Sequence, residues 1–451
     1  MLFLAQRGGD LQQRQAGSIP DLFQSVREFA FMAPFPRLVP VRQVFKRVTE
    51  EDPAAATRRE LARLSSVVEP GMRVAITVGS RGIRNLPVIV RAAGEWFRDA
   101  GAEPFVVPSM GSHGGATVAG QIELLDHLGI TETEVGMQIQ ATMDTVLVGQ
   151  CDDGPPAHLD AIAASADAIL LVNRIKPHTD FHGQVESGLA KICSLGLGNQ
   201  RGAEAVHAYG AANLSRWVPE VARKIMGAAN VLGGLAILEN AFEETERIVF
   251  LECEDIGGVG EALLLEEART LMGSLPFDDL DVLVVDQIGK DKSGSGMDTN
   301  VIGRRRARGV KEFDRPRIAN ISVHSISPAA NGNGIGVGLA DFIPFRVLRQ
   351  IDLHATYMNA LTAGNSGIQR AQLPLALPTD RDVIAAAILT CGRADPANVR
   401  LVRIHDTLDL SRLLVSESLR SVVEGTPGLE VDGDAFPLSF HEDGSLLKEA
   451  G

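Results

Sequence analysis

The sequence lacks paired cysteines and an excess of positive charge, and each absence excludes a class of function. Its four cysteines are far apart and form no CxxC pair, which argues against a disulfide framework and against a cysteine-ligated zinc or iron–sulfur site. With 43 basic and 57 acidic residues the formal net charge is −14, which disfavours binding to nucleic acid or to an anionic membrane surface. We therefore expect a small-molecule partner.

Long apolar runs are also missing. No run approaches the length of a transmembrane helix, and the opening residues MLFLAQRGGDLQQRQ turn polar too soon for a signal peptide. The sequence therefore predicts a cytoplasmic protein with no membrane partner. Residues 1–35 begin as an irregular stretch rich in Gln and Gly, and we interpret them as an N-terminal extension.

Alternating strand and helix patterns fill the rest of the chain and predict an α/β fold with mostly parallel sheets flanked by helices. At 451 residues the chain is long enough for two domains. We place the first at 36–275 and a smaller second domain at 276–451. The main expected strands are 72–78, 103–108, 145–149, 168–172, 230–238, 281–286, 318–323 and 399–404.

Three polar loops follow directly after predicted strands, at 79–85, at 109–117 and from 173 onward. Because ligands of open parallel sheets bind beyond the carboxyl ends of the strands, these loops should meet at one edge. This placement brings Arg81, His113, Lys176 and His178 together before any function is assumed.

The third loop, 173–207, collects histidines and lysines while avoiding helix and strand periodicity, which marks it as a candidate site. Pro177 restricts the backbone beside His178, whose imidazole titrates near neutrality and suits a general acid or base. Apolar neighbours could lower the pKa of Lys191, as a nucleophilic lysine requires, although a surface lysine on a short helix explains the same pattern.

Glycine-rich and basic segments offer weaker signals. In GSHGGAT, Gly114 and Gly115 would let the backbone approach a ligand and Thr117 would cap a helix, but a tight turn is an alternative. The segment 196–202, GLGNQRG, approximates a dinucleotide fingerprint with one residue too many between its second and third glycines. The basic run from Gly303, GRRRARG, is expected to be a solvated face.

Several ordered motifs together resemble the lactate racemase family of nickel-pincer-nucleotide enzymes and its shorter homologues. The resemblance spans roughly residues 39–306 and rests on VAITVGSRG, VPSMGSHGGAT, NRIKPHTDF, ESGLAKICSLGLG, His207 and IGKDKSGSGMDTNVIGR. It implies a racemase or epimerase of a 2-hydroxy acid, an isomerase with its active site in the cleft between two domains.

The resemblance also implies a cofactor, pyridinium-3,5-bisthiocarboxylic acid mononucleotide carrying nickel. Lys191 looks like the lysine to which this nickel-pincer nucleotide is covalently joined, and His207 like the histidine that ligates nickel. Its expected binding residues are Ser80, Arg81, Gly114 and Gly115, and cofactor-synthesis enzymes are expected partners. One histidine cannot hold nickel alone, but it can complete a square-planar site that a cofactor supplies.

His113 and His178 look like the family's two catalytic histidines, and Lys290 and Gln287 like its substrate-binding residues. The sequence departs from the family at Val78, where an aspartate is expected three positions before the first-loop arginine. The spacing from His178 to the attachment lysine is also longer than in lactate-specific members, so a different 2-hydroxy acid is expected.

Other functions remain open on the sequence alone. A zinc hydrolase could use His113, His178, His182 and His207, and a homologue without catalysis could bind a nucleotide or hydroxy acid. An NAD dehydrogenase using GLGNQRG is a third alternative. The sequence predicts no oligomeric state.

Overall fold

The computed structural model describes residues 35–447 together with Gln24, Ser25 and Glu28. The rest of the predicted extension at 1–35 lies outside the described residues. In the described chain the strands are β1 Arg37–Gln43, β2 Arg73–Val78, β3 Glu103–Pro108, β4 Thr145–Gln150, β5 Pro156–Asp160, β6 Ala168–Arg174, β7 Val231–Glu239, β8 Thr245–Leu251, β9 Asp279–Val285, β10 Arg317–Val323, β11 Phe342–Pro344, β12 Leu375–Leu377, β13 Leu401–Ile404, β14 Arg412–Ser416, β15 Leu429–Val431 and β16 Phe436–Pro437.

Helices connect most of these strands, and no described helix is both long and apolar enough to cross a membrane. The α-helices are Pro53–Leu61, Leu86–Asp99, Val118–His127, Glu132–Val135, Ala161–Ala164, Leu189–Lys191, Asn199–His207, Leu214–Ala228, Val259–Leu271, Thr299–Ile302, Phe345–Gln350, Leu353–Thr362, Gly364–Arg370, Asp380–Thr390 and Arg420–Glu424.

Two mixed sheets, each flanked by helices, organise the fold. Most of their neighbouring strands run parallel. The smaller sheet has the order β3-β2-β6-β7-β8, with only β8 antiparallel to its neighbour. The larger sheet has the order β12-β11-β10-β9-β13-β14-β1-β15, with β16 also on β1. From β12 to β13 its strands are parallel, and from β14 onward they are antiparallel. The predicted α/β fold class is confirmed.

Apolar cores cover both faces of each sheet, as the continuous apolar strands require. In β2, Ala75 packs into one core while Val74 and Ile76 pack into the core on the opposite face. In β9, Leu283 and Val284 likewise enter two different cores. Both sheets therefore lie between helical layers, which leaves the strand ends and their loops to form binding sites.

The structure corrects two details of the sequence interpretation. Residues 37–43, expected in the first domain, form β1 and pair with β14, β15 and β16 of the larger sheet. The expected strand at 145–149 joins neither sheet, because β4 pairs with β5 in a separate hairpin. Strand periodicity identifies a strand but carries no information on its distant partner.

Candidate active site

The loops after β2, β3 and β6 leave the same edge of the smaller sheet, since these three parallel strands are neighbours. Together with the loop after β9 of the larger sheet, they contribute a group of basic side chains that interact electrostatically. We call this group the histidine–lysine cluster, and it comprises Arg81, His113, His178, Lys191, His207 and Lys290.

His113 interacts with most of the cluster. Burial, together with the smaller effect of the charges of Arg81, Lys290, Lys191 and His207, lowers the pKa of His113 to about 3. Water still reaches the imidazole, but protein surrounds it closely enough for desolvation to disfavour the charged form. Its Nδ1 is hydrogen-bonded to the hydroxyl of Ser80. His113 is therefore uncharged at neutral pH.

The loop that carries His113 is strained and open on one side. Gly114, Gly115 and Ala116 all have positive φ angles, of 66°, 63° and 54°. A Cβ on Gly114 would lie 2.5 Å from the carbonyl carbon of Gly120, whereas a Cβ on Gly115 would meet nothing within 4 Å. Gly114 thus permits close backbone packing, and Gly115 borders free space. Thr117 caps the following helix as predicted, accepting the Gly120 N–H at 3.1 Å.

His178 lies in a turn fixed by hydrogen bonds on both sides. Its Nδ1 accepts the backbone N–H of Asp180 at 3.0 Å, and its own backbone N–H donates to Glu186 Oε2 at 2.6 Å. The ring packs on Phe181, with centroids 4.5 Å apart. Burial and then the charge of Lys191 hold the pKa of His178 well below 6.5, so this imidazole is also uncharged.

Lys191 ends the helix Leu189–Lys191 and is followed at once by a π-helical turn at Ile192–Gly196. Such turns are rare and frequently occur at functional sites. The buried carboxylate of Glu261 fixes the start of this helix by accepting the Ala190 N–H at 3.2 Å. Burial, followed by the charge of Arg81, lowers the pKa of Lys191 to about 8. Its amine makes no hydrogen bond or ion pair with any described residue.

His207 is the last residue of the helix Asn199–His207, and its side chain remains accessible to water. Burial among surrounding protein atoms, and then the charge of Lys191, lowers the pKa of His207. An uncharged imidazole with a free nitrogen is the form that binds a metal. Beside it, Lys191 offers an unpartnered amine with a lowered pKa, so the two residues fit the chemistry of a lysine-linked cofactor that carries nickel.

The loop after β9 contributes Lys290 to the cluster, whereas its second lysine, Lys292, forms ion pairs. Burial and the nearby charge of Arg81 lower the pKa of Lys290 to about 8. In contrast, Lys292 lies 3.2 Å from Asp406 Oδ2, and that carboxylate is the main cause that raises the pKa of Lys292. Gln287 donates its backbone N–H to a carbonyl at 2.8 Å, and no side-chain contact in the described structure joins it to the cluster.

Arg81, in the loop after β2, contacts the loop that follows β9 of the larger sheet. A Cβ on Gly294 would lie 2.6 Å from Arg81 Nη2, so this glycine leaves room for the guanidinium. Val78, the position at which the sequence departs from the resemblance, is fully buried in an apolar core. Burial lowers the pKa of Arg81, His178, Lys191 and His207, and the negative charge of Asp180 partly offsets this lowering.

Four charged residues that support the cluster were not identified from the sequence: Asp180, Glu186, Glu261 and Arg370. Asp180 is half-buried, the other three are buried, and all four have partners that lie far away along the chain. No spacing rule identifies such partners. The only sequence hint is that two of the four fall within the segment 173–207.

The run GRRRARG is not the solvated face that its charge suggested. Arg304 donates to Asp341 Oδ2 at 2.6 Å, and Arg306 donates to Asp341 Oδ1 at 2.9 Å. Arg305 is only 3% exposed and stacks on Phe313, with its guanidinium carbon 4.0 Å from the ring centroid. Ion pairing and stacking therefore bury charges that a local reading places in solvent.

The rival zinc site is absent from the described residues, among which no group of three or more metal-ligating side chains occurs. His182 is directed elsewhere: its Nε2 is 3.1 Å from Asn300 Oδ1, and its ring packs edge-on against Phe313.

The glycines of GLGNQRG have packing roles. A Cβ on Gly196 would lie 2.5 Å from the Ser109 carbonyl oxygen, and one on Gly198 would lie 2.9 Å from Gly202 Cα. This segment also follows a π-helical turn, not the strand that a dinucleotide fingerprint requires.

Comparison with known proteins gave no sequence relative and seven solved chains of similar structure, two of which are described below. No family model and no curated protein matches the chain. A structural-genomics protein from Thermotoga maritima has 14% identity and a TM-score of 0.45 over 61% of this chain and 71% of its own. The lactate racemase apoprotein from Thermoanaerobacterium thermosaccharolyticum has 11% identity and a TM-score of 0.43 over 77% of this chain and 99% of its own. These values are too low to assign a function.

Proposed function

We propose that this protein is an isomerase, a racemase or epimerase of a 2-hydroxy acid. The observation that carries the proposal is the composition of the histidine–lysine cluster. Two uncharged histidines lie beside three cationic side chains, Arg81, Lys191 and Lys290, none of which has a hydrogen bond or ion pair within the described structure. The charge of Arg81 lowers the pKa of both lysines, and unpaired cations that repel one another favour binding of an anion.

A nickel-pincer nucleotide is the proposed cofactor. Lys191 would hold it covalently through the free amine, and His207 would donate its imidazole nitrogen to nickel. Ser80, Arg81 and the open side of the loop at Gly115 would border it. When bound, the cofactor supplies the hydride chemistry at the substrate Cα, which no protein side chain can provide.

The residues of the chain handle the protons and the charge of the substrate. A substrate oxygen whose stereocentre is inverted needs hydrogen-bonding groups on both faces, and His113 and His178 are proposed as the acid/base residues that serve them. Both are uncharged at neutral pH, which suits proton exchange with a hydroxyl. Lys290 is proposed to bind the substrate carboxylate, with Gln287 as a further binding residue.

The substrate is proposed to be a 2-hydroxy acid other than lactate, bulkier or sugar-derived. Support comes from the spacing between His178 and Lys191, which is longer than in the lactate-specific enzymes. Glu186 lies within this longer segment and accepts hydrogen bonds from the loop backbone. The local cations also overcome the net charge of −14, which would otherwise repel an acid.

The decisive experiment is co-expression of the chain with the cofactor-synthesis enzymes, followed by intact-protein mass and metal analysis. We expect a covalent adduct on Lys191 and bound nickel. Enantiopure 2-hydroxy acids are then screened by deuterium exchange and chiral chromatography. Activity should be lost in Lys191→Ala and His207→Ala and retained in His182→Ala.

Three results would contradict the proposal. A zinc-loaded chain without an adduct at Lys191 would favour a hydrolase. Turnover accompanied by a change in NADH absorbance would favour a dehydrogenase. An adduct with nickel but no exchange in any acid tested would favour a binding protein without catalysis.

A further inference from the structure

His178 and His113, the two proposed catalytic histidines, differ in how their Nδ1 atoms are hydrogen-bonded. At His178, Nδ1 accepts a backbone N–H, that of Asp180, at 3.0 Å. A backbone amide only donates, and a neutral imidazole carries one proton, so the proton of His178 must be on Nε2. At His113, Nδ1 faces the hydroxyl of Ser80, which can donate or accept and so leaves either nitrogen free to carry the proton.

A residue from the other half of the chain holds the turn at His178 in place. Arg370 is 4% exposed, and its guanidinium is paired with the carboxylate of Asp180. A second nitrogen of the same group donates to the Thr179 carbonyl at 2.9 Å. A planar guanidinium that grips a carboxylate and the adjacent carbonyl fixes a backbone orientation more tightly than a single ion pair does.

Other contacts keep Arg370 and the turn in register. The Nε and Nη2 atoms of Arg370 donate to the Arg305 carbonyl at 3.3 and 3.1 Å. Thr299 Oγ1 donates to the Thr179 carbonyl at 2.8 Å. The turn around His178 is thus attached to two segments of the second half of the chain, at Thr299 and at Arg370. Arg370 binds both the Thr179 carbonyl and the Asp180 carboxylate.

We propose that Arg370 is a positioning residue that acts through Asp180 to fix His178 in its Nε2–H tautomer, which makes His178 the hydrogen-bond donor of the pair and leaves His113 as the proton acceptor. The division of roles rests on the proposed function, whereas the tautomer does not. This narrows the role proposed above for His178: its Nε2–H would donate a hydrogen bond to the substrate oxygen as negative charge develops there. His113 would accept the hydroxyl proton at the ring nitrogen not bonded to Ser80 and return it to the same oxygen once the stereocentre is inverted.

The tautomer can be measured without cofactor or substrate. The full chain, labelled with ¹⁵N at its histidines, is examined at pH 7 by long-range ¹H–¹⁵N correlation, and His178→Gln assigns the resonance. We expect the Nε2–H form of His178 to predominate. In Arg370→Leu the ratio of Nε2–H to Nδ1–H should fall about fivefold, since one backbone hydrogen bond is weakened. Arg370→Lys should give a smaller fall.

Arg403→Leu is the matched control, because Arg403 is also a buried arginine, 6% exposed, that pairs with an aspartate and a carbonyl and, within the described chain, makes no bond to the turn at His178. It should destabilise the fold while leaving the His178 spectrum unchanged. If Arg370→Leu does not fold, Asp180→Asn provides the second variant. A predominant Nδ1–H form in the unmodified chain, or an unchanged ratio in folded Arg370 variants, would overturn the proposal.

Activity measurements test the proposed function separately from the tautomer of His178. In the loaded enzyme, His178→Gln keeps an N–H donor and should retain at least about tenfold more activity than His178→Ala, whereas His113→Gln and His113→Ala should be equally inactive. Equal loss in the two His178 variants would refute the donor role. Absence of activity in every protein, with the expected spectra, would refute the proposed function and leave the tautomer assignment standing.

Discussion

Glu186 Oε2 lies 2.6 Å from the backbone nitrogen of His178, and its side chain has no exposed surface. The same carboxylate accepts the Gly183 N–H at 3.1 Å and an Arg269 N–H at 2.5 Å. A buried carboxylate with three donors holds the whole turn 178–186, because each donor would otherwise be left unsatisfied. The position of His178 therefore depends on a residue with no part in the chemistry.

The first prediction concerns this carboxylate. Glu186→Ala should lower the free energy of unfolding by about 2–4 kcal/mol, since it leaves two backbone N–H groups and one N–H of Arg269 without an acceptor. Urea denaturation measures the change. Glu266→Ala is the matched control, because Glu266 pairs with the same arginine while 67% exposed, and it should cost about 0–1 kcal/mol. Equal losses in the two variants would refute the role of Glu186.

The second prediction concerns amine reactivity. With a pKa of about 8, on the order of a tenth of the Lys191 side chains are neutral at pH 7, on the order of 10²-fold more than for an ordinary lysine. Acetylation of the unloaded chain, followed by peptide mass spectrometry, should show Lys191 reacting faster than Lys311, and its rate should rise with pH up to about 8. Lys292, paired with Asp406, should react slowly. A rate at Lys191 that keeps rising to pH 10 would contradict the lowered pKa.

The third prediction concerns acid sensitivity. The pKa of His113 is about 3 in the folded chain and near 6.5 in the unfolded chain, so between these values the unfolded state binds more protons. Its contribution to stability is fully present above pH 6.5 and is lost as the pH falls toward 3. His113→Gln should therefore show a smaller drop in urea midpoint between pH 7 and pH 5 than the unmodified chain. The same drop in both proteins would argue against burial of the uncharged form.

The fourth prediction concerns anion binding. Lys290 has a pKa of about 8 and no partner in the described structure, so at pH 7 most of it is a free cation inside the cluster. Lys290→Met should weaken the binding of oxalate about tenfold, measured by calorimetry. Lys311→Met removes a lysine that is 80% exposed and should leave the affinity unchanged. Equal affinity in both variants would place the carboxylate site elsewhere.

Much of the fold follows from local pattern. The strands at 72–78, 103–108 and 168–172 are apolar and β-branched between turn residues, and each is present within one or two residues of its predicted bounds. Their adjacency in a parallel sheet is a consequence of short right-handed connections, so the convergence of the loops that follow them was also predictable. The roles of the site residues stay predictions.

The sequence by itself determined the α/β class, the strands β2, β3 and β6, and the loops that bear His113, His178 and Lys191, because periodicity and glycine or proline placement act over a few residues. Only the tertiary structure decided where β1 pairs, that the charge of Asp180 acts on the cluster, and that Arg370 holds the turn at His178. These depend on contacts between residues 190 to 378 positions apart and on burial, which sets the energy of a charge and is not encoded in any local segment.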